Sequence, residues 1–207
     1  IKFVDTGYDD ELNGKRYLFL AQESKQGLFA QLEKYMYTRR KATKKEMRGV
    51  DPSDPEYQVL DTRQYIYKIV LNSAYGAFGS ATYRFYKPEI ADTITFFARK
   101  SILTAREYFK NKFNMETLYI DTDSLFLSLG EYDDGFLEKE TEVFTNEYLM
   151  NNVILHHNNG FNKEYMFMEL EHEKTLTHIY LGTSKKRYYS IQKNINTSDI
   201  FLTILLN

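Results

Sequence analysis

Apolar and polar positions run along this chain in two rhythms, a short one of period two and a longer helical one. Residues 1–5 and 17–21 alternate as strands do, on either side of a polar turn over 9–14. From Gly27 the period lengthens. Leu28, Leu32, Tyr35 and Met36 recur at helical spacing, which predicts a helix that passes through a basic stretch and ends near Gly49. Asp51-Pro52-Ser53-Asp54-Pro55 is built of turn formers and predicts a loop. A second helix is expected over roughly 56–74, antiparallel to the first and broken by Gly76 and Gly79. Pro88 lacks an N–H that a first helical turn leaves unused, so a third helix is expected there. Its buried stripe would be Ile94, Phe97, Ile102, Ala105 and Phe109. Residues 117–120 and 125–129 predict strands around Asp121-Thr122-Asp123-Ser124, and 135–150 an acidic amphipathic helix. Further strands are expected over 165–173 and 186–191, with no internal repeat or long linker. Helices mixed with hairpins indicate an α+β fold. A small antiparallel sheet would carry Asp121 and Asp123, and an antiparallel helical hairpin would project from it.

Composition changes this picture only by exclusion. The 207 residues contain no cysteine, which removes disulfides and thiolate zinc sites. Any metal must be held by carboxylates or the four histidines, a donor set that favours hard cations such as magnesium. The longest apolar run, 200–206, is interrupted by Thr203 and is far too short to cross a bilayer, and no secretory signal is expected. A net charge of -2 gives no global sign of a polyanion partner. The distribution of charge is more informative. Arg39, Arg40, Lys41, Lys44, Lys45 and Arg48 crowd one segment, Lys185, Lys186 and Arg187 another, and acids gather between 131 and 147.

Three groups of residues have the chemistry of a site. Asp121 and Asp123, if extended, would point to one side of a strand and could bind a divalent cation, the kind of ion that stabilises attacking and leaving oxygens in phosphoryl transfer. A polar hairpin turn would contain the same residues, and an Asp-x-Asp element also serves nucleotide-sugar glycosyltransferases. Lys68, Asn72 and Tyr75 share one helix face, followed by Gly76, where another molecule can approach the backbone. The same spacing suits an ordinary half-exposed helix face. Arg40 and Lys44 lie one turn apart, and basic runs are usually solvated. In an antiparallel hairpin, however, they could converge with Lys68 on one polyanion, for which a magnesium-bound nucleoside triphosphate is a fitting occupant.

Several segments together resemble family B DNA polymerases. Lys68-Ile69-Val70-Leu71-Asn72-Ser73-Ala74-Tyr75-Gly76 resembles the family's KxxxNSxYG motif, with Arg63-Gln64 and Gly79 also in its pattern. Tyr119-Ile120-Asp121-Thr122-Asp123-Ser124 is similar to YxDTDS, and Lys185-Lys186-Arg187-Tyr188 to KKRY. The stretch from Gly27-Leu28-Phe29 through Arg40, Lys41 and Lys44 resembles the first fingers helix, and Leu170-Glu171-His172-Glu173-Lys174 an acidic strand before KKRY. These segments occur in the family's order and cover about 27–189.

The resemblance implies template-directed addition of deoxynucleotides to a primer 3′-hydroxyl with two magnesium ions, or manganese in their place. It implies that Arg40, Lys44 and Lys68 grip the incoming triphosphate, that Asn72 supports that face and that Tyr75 packs on the nascent base pair. Asp123 would ligate both metals, with Asp121 beside it and Glu173 in support. Gly76, Lys185, Lys186, Arg187 and Tyr188 would contact primer–template DNA. In domain terms, 1–26 and 77–194 would be palm, 27–76 fingers, and 195–207 a tail or truncated start of a thumb. The partners implied are primer–template DNA, deoxynucleoside triphosphates and the remainder of a polymerase, with no membrane; the setting would be intracellular, wherever DNA is replicated. The run Arg84-Phe85-Tyr86 with Ile94-Thr95 resembles viral members.

Departures are also visible. Ala30 stands where proline is common and Ile120 where glycine is common. The family's first palm motif, a DxxSLYPS-like element with another metal-binding aspartate, does not occur in these 207 residues, and Asp5-Thr6-Gly7-Tyr8 does not match it. The chain alone is therefore expected to polymerise little or nothing, as a fragment of such an enzyme or as the complementing or non-catalytic part of a split one.

Overall fold

The computed structural model describes residues 3–10, 15–20, 26–154, 167–184, 186–192 and 201–206. Contacts divide the chain into one unit built on Asp9–Ile94 and another on Thr95–Asn207, with Ile1–Val4 joined to the first and Asp5–Tyr8 to the second. The chain opens with strands β1 (Phe3–Asp10) and β2 (Lys15–Leu20), which form a two-stranded sheet. β1 extends further than the expected 1–5, and the expected turn residues 11–14 lie outside the described residues.

Helices α1 (Leu28–Met47) and α2 (Pro55–Gly79) form the expected antiparallel hairpin. Its closing turn is encoded locally. The Asp51 carboxylate accepts from Ser53 N–H at 2.8 Å and Ser53 Oγ at 2.6 Å, which holds that carboxyl below its usual range. Asp54 then caps α2 by accepting from Glu56 N–H at 2.8 Å, with Pro55 in the first turn.

The packed seam of α1 is not the one its apolar spacing predicts. Leu28, Leu32 and Tyr35 are exposed, whereas Phe29, Glu33, Met36, Arg40, Thr43 and Met47 are buried or half-buried. The facing seam on α2 is Leu60, Gln64, Tyr67, Leu71, Ala74 and Phe78. Both run at alternating steps of three and four, the periodicity of helices packed at a shallow angle. The Arg40 Nε–Gln64 Oε1 contact at 3.4 Å fixes their register. Gly76 does not end α2, which continues to Gly79. A lone glycine costs a helix about 1 kcal/mol, too little to stop one whose next turn packs Phe78 on Phe29 at 4.8 Å between ring centroids.

Helix α3 (Pro88–Phe113) starts at its proline as expected. Of its predicted stripe, Ile102, Ala105 and Phe109 are buried and Phe97 partly so, but Ile94 is exposed. Strands β3 (Thr117–Asp121) and β4 (Ser124–Ser128) form the predicted hairpin. Helix α4 (Asp134–Val143) is capped by the Asp133 carboxylate and passes into a π-helical segment, Phe144–Ile154, longer than the predicted 135–150. Leu137, Phe144, Leu149 and Val153 from these two segments pack with the α3 stripe and with Leu125, Leu127 and Leu129 into one core.

Strand β5 is Leu170–Leu181, later and longer than the expected 165–173, of which 165 and 166 lie outside the described residues. β6 is Tyr188–Gln192 and β7 is Phe201–Leu206. Of the expected tail, 195–207, the described residues 201–206 are thus a strand, and the others lie outside the described residues. In the sheet order β3-β4-β7-β5-β6, β7 is the central strand and pairs antiparallel on both sides.

Candidate functional site

In the first unit, α1 and α2 supply two sets of polar side chains. Lys68, Asn72 and Tyr75 lie one position off the α2 seam and are all exposed, so they do share an outward face. Gly76 adjoins them, and a Cβ built there would meet nothing within 4 Å. Among the described residues, nothing stands in the way of a side chain at that point.

The second set lies toward the closing turn. Arg40, Lys44, Arg48, Pro52, Tyr57 and Gln64 line an open cavity of about 520 Å³. Lys68 is not part of its wall. The Arg40–Gln64 register explains why: Lys44 lies one turn from that contact toward the loop, and Lys68 one turn away from it. Arg40 and Lys44 were expected to converge with Lys68; the cavity is lined instead by Arg40, Lys44 and Arg48. Arg48 was legible, because 40, 44 and 48 are successive turns of one face.

In the second unit the acidic pair forms differently from the extended arrangement expected. Asp121 pairs with Ser124, so Thr122 and Asp123 are a two-residue turn between strands. Thr122 has φ 57, a conformation that branched side chains rarely adopt, and Asp123 N–H reaches Asp121 O at 2.7 Å. Asp123 is exposed at the tip while the Asp121 side chain is 22% exposed. The two aspartates thus lie at a tight turn, not on one face of an extended strand.

A basic hairpin meets this turn. β5 carries bulges between His172 and Lys174 and between Leu176 and His178. Bulges bend a strand and sharpen its twist. The sheet curls accordingly: the Tyr188 ring of edge strand β6 lies 5.2 Å from Phe126 on β4 and 6.2 Å from Tyr119 on the opposite edge, β3. Gly182 allows the tight β5–β6 turn, since a Cβ there would meet Arg187 O at 2.9 Å. At the turn Lys186, with φ 63, donates its backbone N–H to Tyr119 Oη at 3.1 Å. Its ammonium lies 3.4 Å from Asp121 Oδ1 and 3.2 Å from Thr122 Oγ1. Lys186 thus lies against Asp121 and Tyr188 against Tyr119, and Arg187 is exposed. Lys185 lies outside the described residues.

Glu173 is exposed in the β5 bulge between His172 and Lys174. Among the described residues no three Asp, Glu or His side chains cluster as a metal site. Asp121 and Asp123 offer the hard oxygen donors magnesium prefers, but two carboxylates, one ion-paired to Lys186, do not complete a site for two ions. No described helix is long and apolar enough to cross a membrane.

The model of DNA polymerase family B matches residues 7–200, and the chain belongs to that family. It is 36% identical over 106 residues to a DNA polymerase of Thermococcus gorgonarius, covering 51% of this chain and 14% of that protein. It is 31% identical over 137 residues to a DNA polymerase of Pyramimonas orientalis virus, covering 63% of this chain and 10% of that one. The chain thus spans a small part of these curated relatives, which include archaeal and viral proteins. The solved structure of the family B DNA polymerase from Pyrobaculum calidifontis matches with a TM-score of 0.53 and 26% identity, over 89% of this chain and 22% of that one.

Proposed function

We propose that this chain forms the fingers and central palm of a template-directed DNA polymerase, a nucleotidyltransferase that adds deoxynucleotides to a primer 3′-hydroxyl. The observation that carries the proposal is the curl of the sheet that sets Lys186 and Tyr188 against the Asp121–Asp123 turn. Such a site has a cationic side to hold a DNA backbone and an acidic tip beside it. Two magnesium ions, when bound, would stabilise charge on the attacking and leaving oxygens.

The chain's own residues have separable roles in this proposal. Asp123, at the exposed tip, presents the freer carboxylate to a metal, and Asp121 supports it. Lys186 neutralises Asp121 and, with Arg187, Tyr188 and Lys185, holds the primer strand. On the hairpin, Lys68 and Arg40 with Lys44 neutralise a triphosphate, while Asn72 and Tyr75 offer an amide and a ring beside Gly76. Base choice belongs to template pairing, so the protein need only sense pair shape, as an exposed Tyr75 ring can by stacking. In domain terms 77–194 is palm with residues 1–26, and 27–76 fingers. The hairpin's second helix runs on to Gly79, and Phe201–Leu206 pairs in the sheet.

The test is binding of a fluorescent recessed primer–template by the 207-residue chain. Affinity should fall steeply with salt and drop about tenfold for the Lys186→Ala, Arg187→Ala double variant. Salt-independent binding, or no effect of the double variant, refutes the placement of DNA at this hairpin. The same chain should extend the primer little or not at all, because its described residues hold only part of a metal-binding set. Extension that Asp123→Ala abolishes would overturn that expectation.

A further inference from the structure

Edge strand β6 has two sides, and the site described above uses one of them. Tyr188 turns to the inner side of the curled sheet, against Phe126 and Tyr119. Side chains alternate along a strand, so Tyr189 and Ile191 point to the outer side. The β5–β6 register puts Tyr189 opposite Tyr180 and Ile191 opposite His178, with no bulge between these pairs. Opposite residues of an antiparallel pair share a face, so His178, Tyr180, Tyr189 and Ile191 form one patch. It stands in solvent: Tyr180 is 60% exposed, Tyr189 80% and Ile191 54%. His178 is exposed as well, with Nδ1 3.2 Å from Thr177 Oγ1 and its ring within 8° of parallel to that of Tyr180.

The charge around this patch has one sign. Between Glu173 and Asp199 the sequence has no acidic residue, but it has Lys174, Lys185, Lys186, Arg187 and Lys193. In a chain of net charge -2 that is a local reversal. Lys186 and Arg187 stand exposed at the turn joining the two strands. Two copies of the chain meeting through this face would bring like charges together, so the occupant that fits is a polyanion with apolar faces of its own.

We propose that the outer face of the β5–β6 ribbon is a stacking platform for an unpaired nucleic-acid strand. Bases stack on Tyr180, Tyr189 and His178, Ile191 adds an apolar contact, and the cations at the ribbon's turn follow the phosphates. Contact through ring faces is tolerant of sequence, because every base has a π-face. This platform is separate from the inner side, where Tyr188 and Lys186 meet the Asp121–Asp123 turn. The inference goes beyond the polymerase reading, since it assigns a second strand-binding surface to residues that reading leaves without a role.

The experiment is fluorescence anisotropy of the whole 207-residue chain at fixed salt, with labelled oligothymidylate and oligouridylate of about twelve nucleotides. The Tyr180→Ala, Tyr189→Ala double variant should bind oligothymidylate about tenfold more weakly. The Tyr180→Phe, Tyr189→Phe variant should bind as tightly as the parent, because stacking needs the ring and not the hydroxyl. Circular dichroism should show both variants folded as the parent, since the replaced rings are exposed. An abasic strand of the same length keeps the phosphates without the bases, and tests stacking in the unaltered chain. It should bind the parent no better than oligothymidylate binds the alanine variant. Equal binding of abasic strand and oligothymidylate would reduce the platform to charge and overturn the proposal. So would an alanine variant that binds like the parent, or one that loses as much affinity for a primer–template of minimal overhang. A concentration-dependent dimer that the alanine variant abolishes, with oligothymidylate binding intact, would make the face a protein interface and also overturn it. The two probes separate the sources: equal affinities assign the platform to unpaired strands of either sugar, and a preference assigns it to DNA or to RNA. If Lys186→Ala, Arg187→Ala weakens primer–template binding while the tyrosine variants are silent, this inference fails and the polymerase proposal stands. If primer–template binding is absent and the tyrosines still govern oligothymidylate affinity, the reverse holds.

Discussion

The helical hairpin and the curled sheet differ in what holds them together. In the sheet unit Phe109, Phe126, Phe144, Leu125, Leu127, Leu129, Leu137, Leu149, Leu176 and Val153 are essentially inaccessible to solvent. In the hairpin only Leu60, Ala74 and Thr43 are buried, and the seam itself contains Glu33, Arg40 and Gln64. One region commits its interior to apolar packing and keeps its reactive groups at a turn. The other dilutes its interior with polar groups that also face a cavity. Substitutions in the sheet unit should therefore register as lost stability, and those in the hairpin as altered binding.

The largest effect expected is at Phe109, which packs its ring against Tyr108, Phe113 and Phe144. Phe109→Ala should cost about 4 kcal/mol, and Leu60→Ala in the hairpin about 2 kcal/mol at the lower end of its class, both read from urea unfolding. A reversed order would break the comparison. Next comes the polar group that ties α3 to α4. The Tyr108 hydroxyl donates to the Glu140 carboxylate, and Lys112 Nζ reaches that carboxylate at 2.5 Å and Tyr108 Oη at 2.7 Å. Glu140 holds the Lys112 ammonium above its usual pKa, while burial first, then the bond to Glu140, raises the Tyr108 phenol. Glu140→Ala strands a buried hydroxyl and should cost about 2 kcal/mol by the same measurement. A loss under 0.5 kcal/mol, on the same scale, would show the triad to be ordinary surface.

These cases also show what local sequence can encode. The closing turn, the Pro88 start and the β3–β4 hairpin were legible because Asp51, Asp54, Pro88 and the flanking apolar runs act within a few residues. The α1 seam was misjudged by one position, because Phe29 and Met47 pack inward alongside charged Glu33 and Arg40 that no hydrophobic pattern selects. Asp121 and Asp123 were expected on one side of an extended strand, because a tight turn with Thr122 at positive φ leaves no mark in an alternation pattern. The central place of Phe201–Leu206 was illegible for another reason. Its partners Ser124–Ser128 and Leu170–Leu176 are distant along the chain, and an apolar run says nothing of which strands it will separate. The same distance effect hid the approach of Lys186 to Asp121, which depends on two bulges in β5.

Thr122 offers a smaller test within the sheet unit. Its left-handed backbone costs a branched residue about 1 kcal/mol or more. Thr122→Asn, a residue tolerant of that region, should stabilise the unit by about 0.5 kcal/mol despite losing the contacts of Thr122 Oγ1 with Asp121 and Lys186. Loss of stability instead would assign those contacts more weight than the strain.

The smallest effect concerns the diluted seam of the hairpin, and its sign is set by pH. Glu33 is half-buried on α1, and desolvation raises its carboxyl above the ordinary value of 4.5. A carboxyl whose folded pKa is raised favours folding while protonated, and that contribution is lost as pH rises through the folded value. Glu33→Gln removes the charge but keeps the shape. It should raise the melting temperature at pH 7, and the gain should shrink as pH falls and vanish below the ordinary glutamate value. If the variant instead melts lower at pH 7 and matches the parent in acid, the ionised Glu33 is stabilising. The seam's polar dilution would then be a paired network, and the hairpin would resemble the sheet unit more than its thin core indicates.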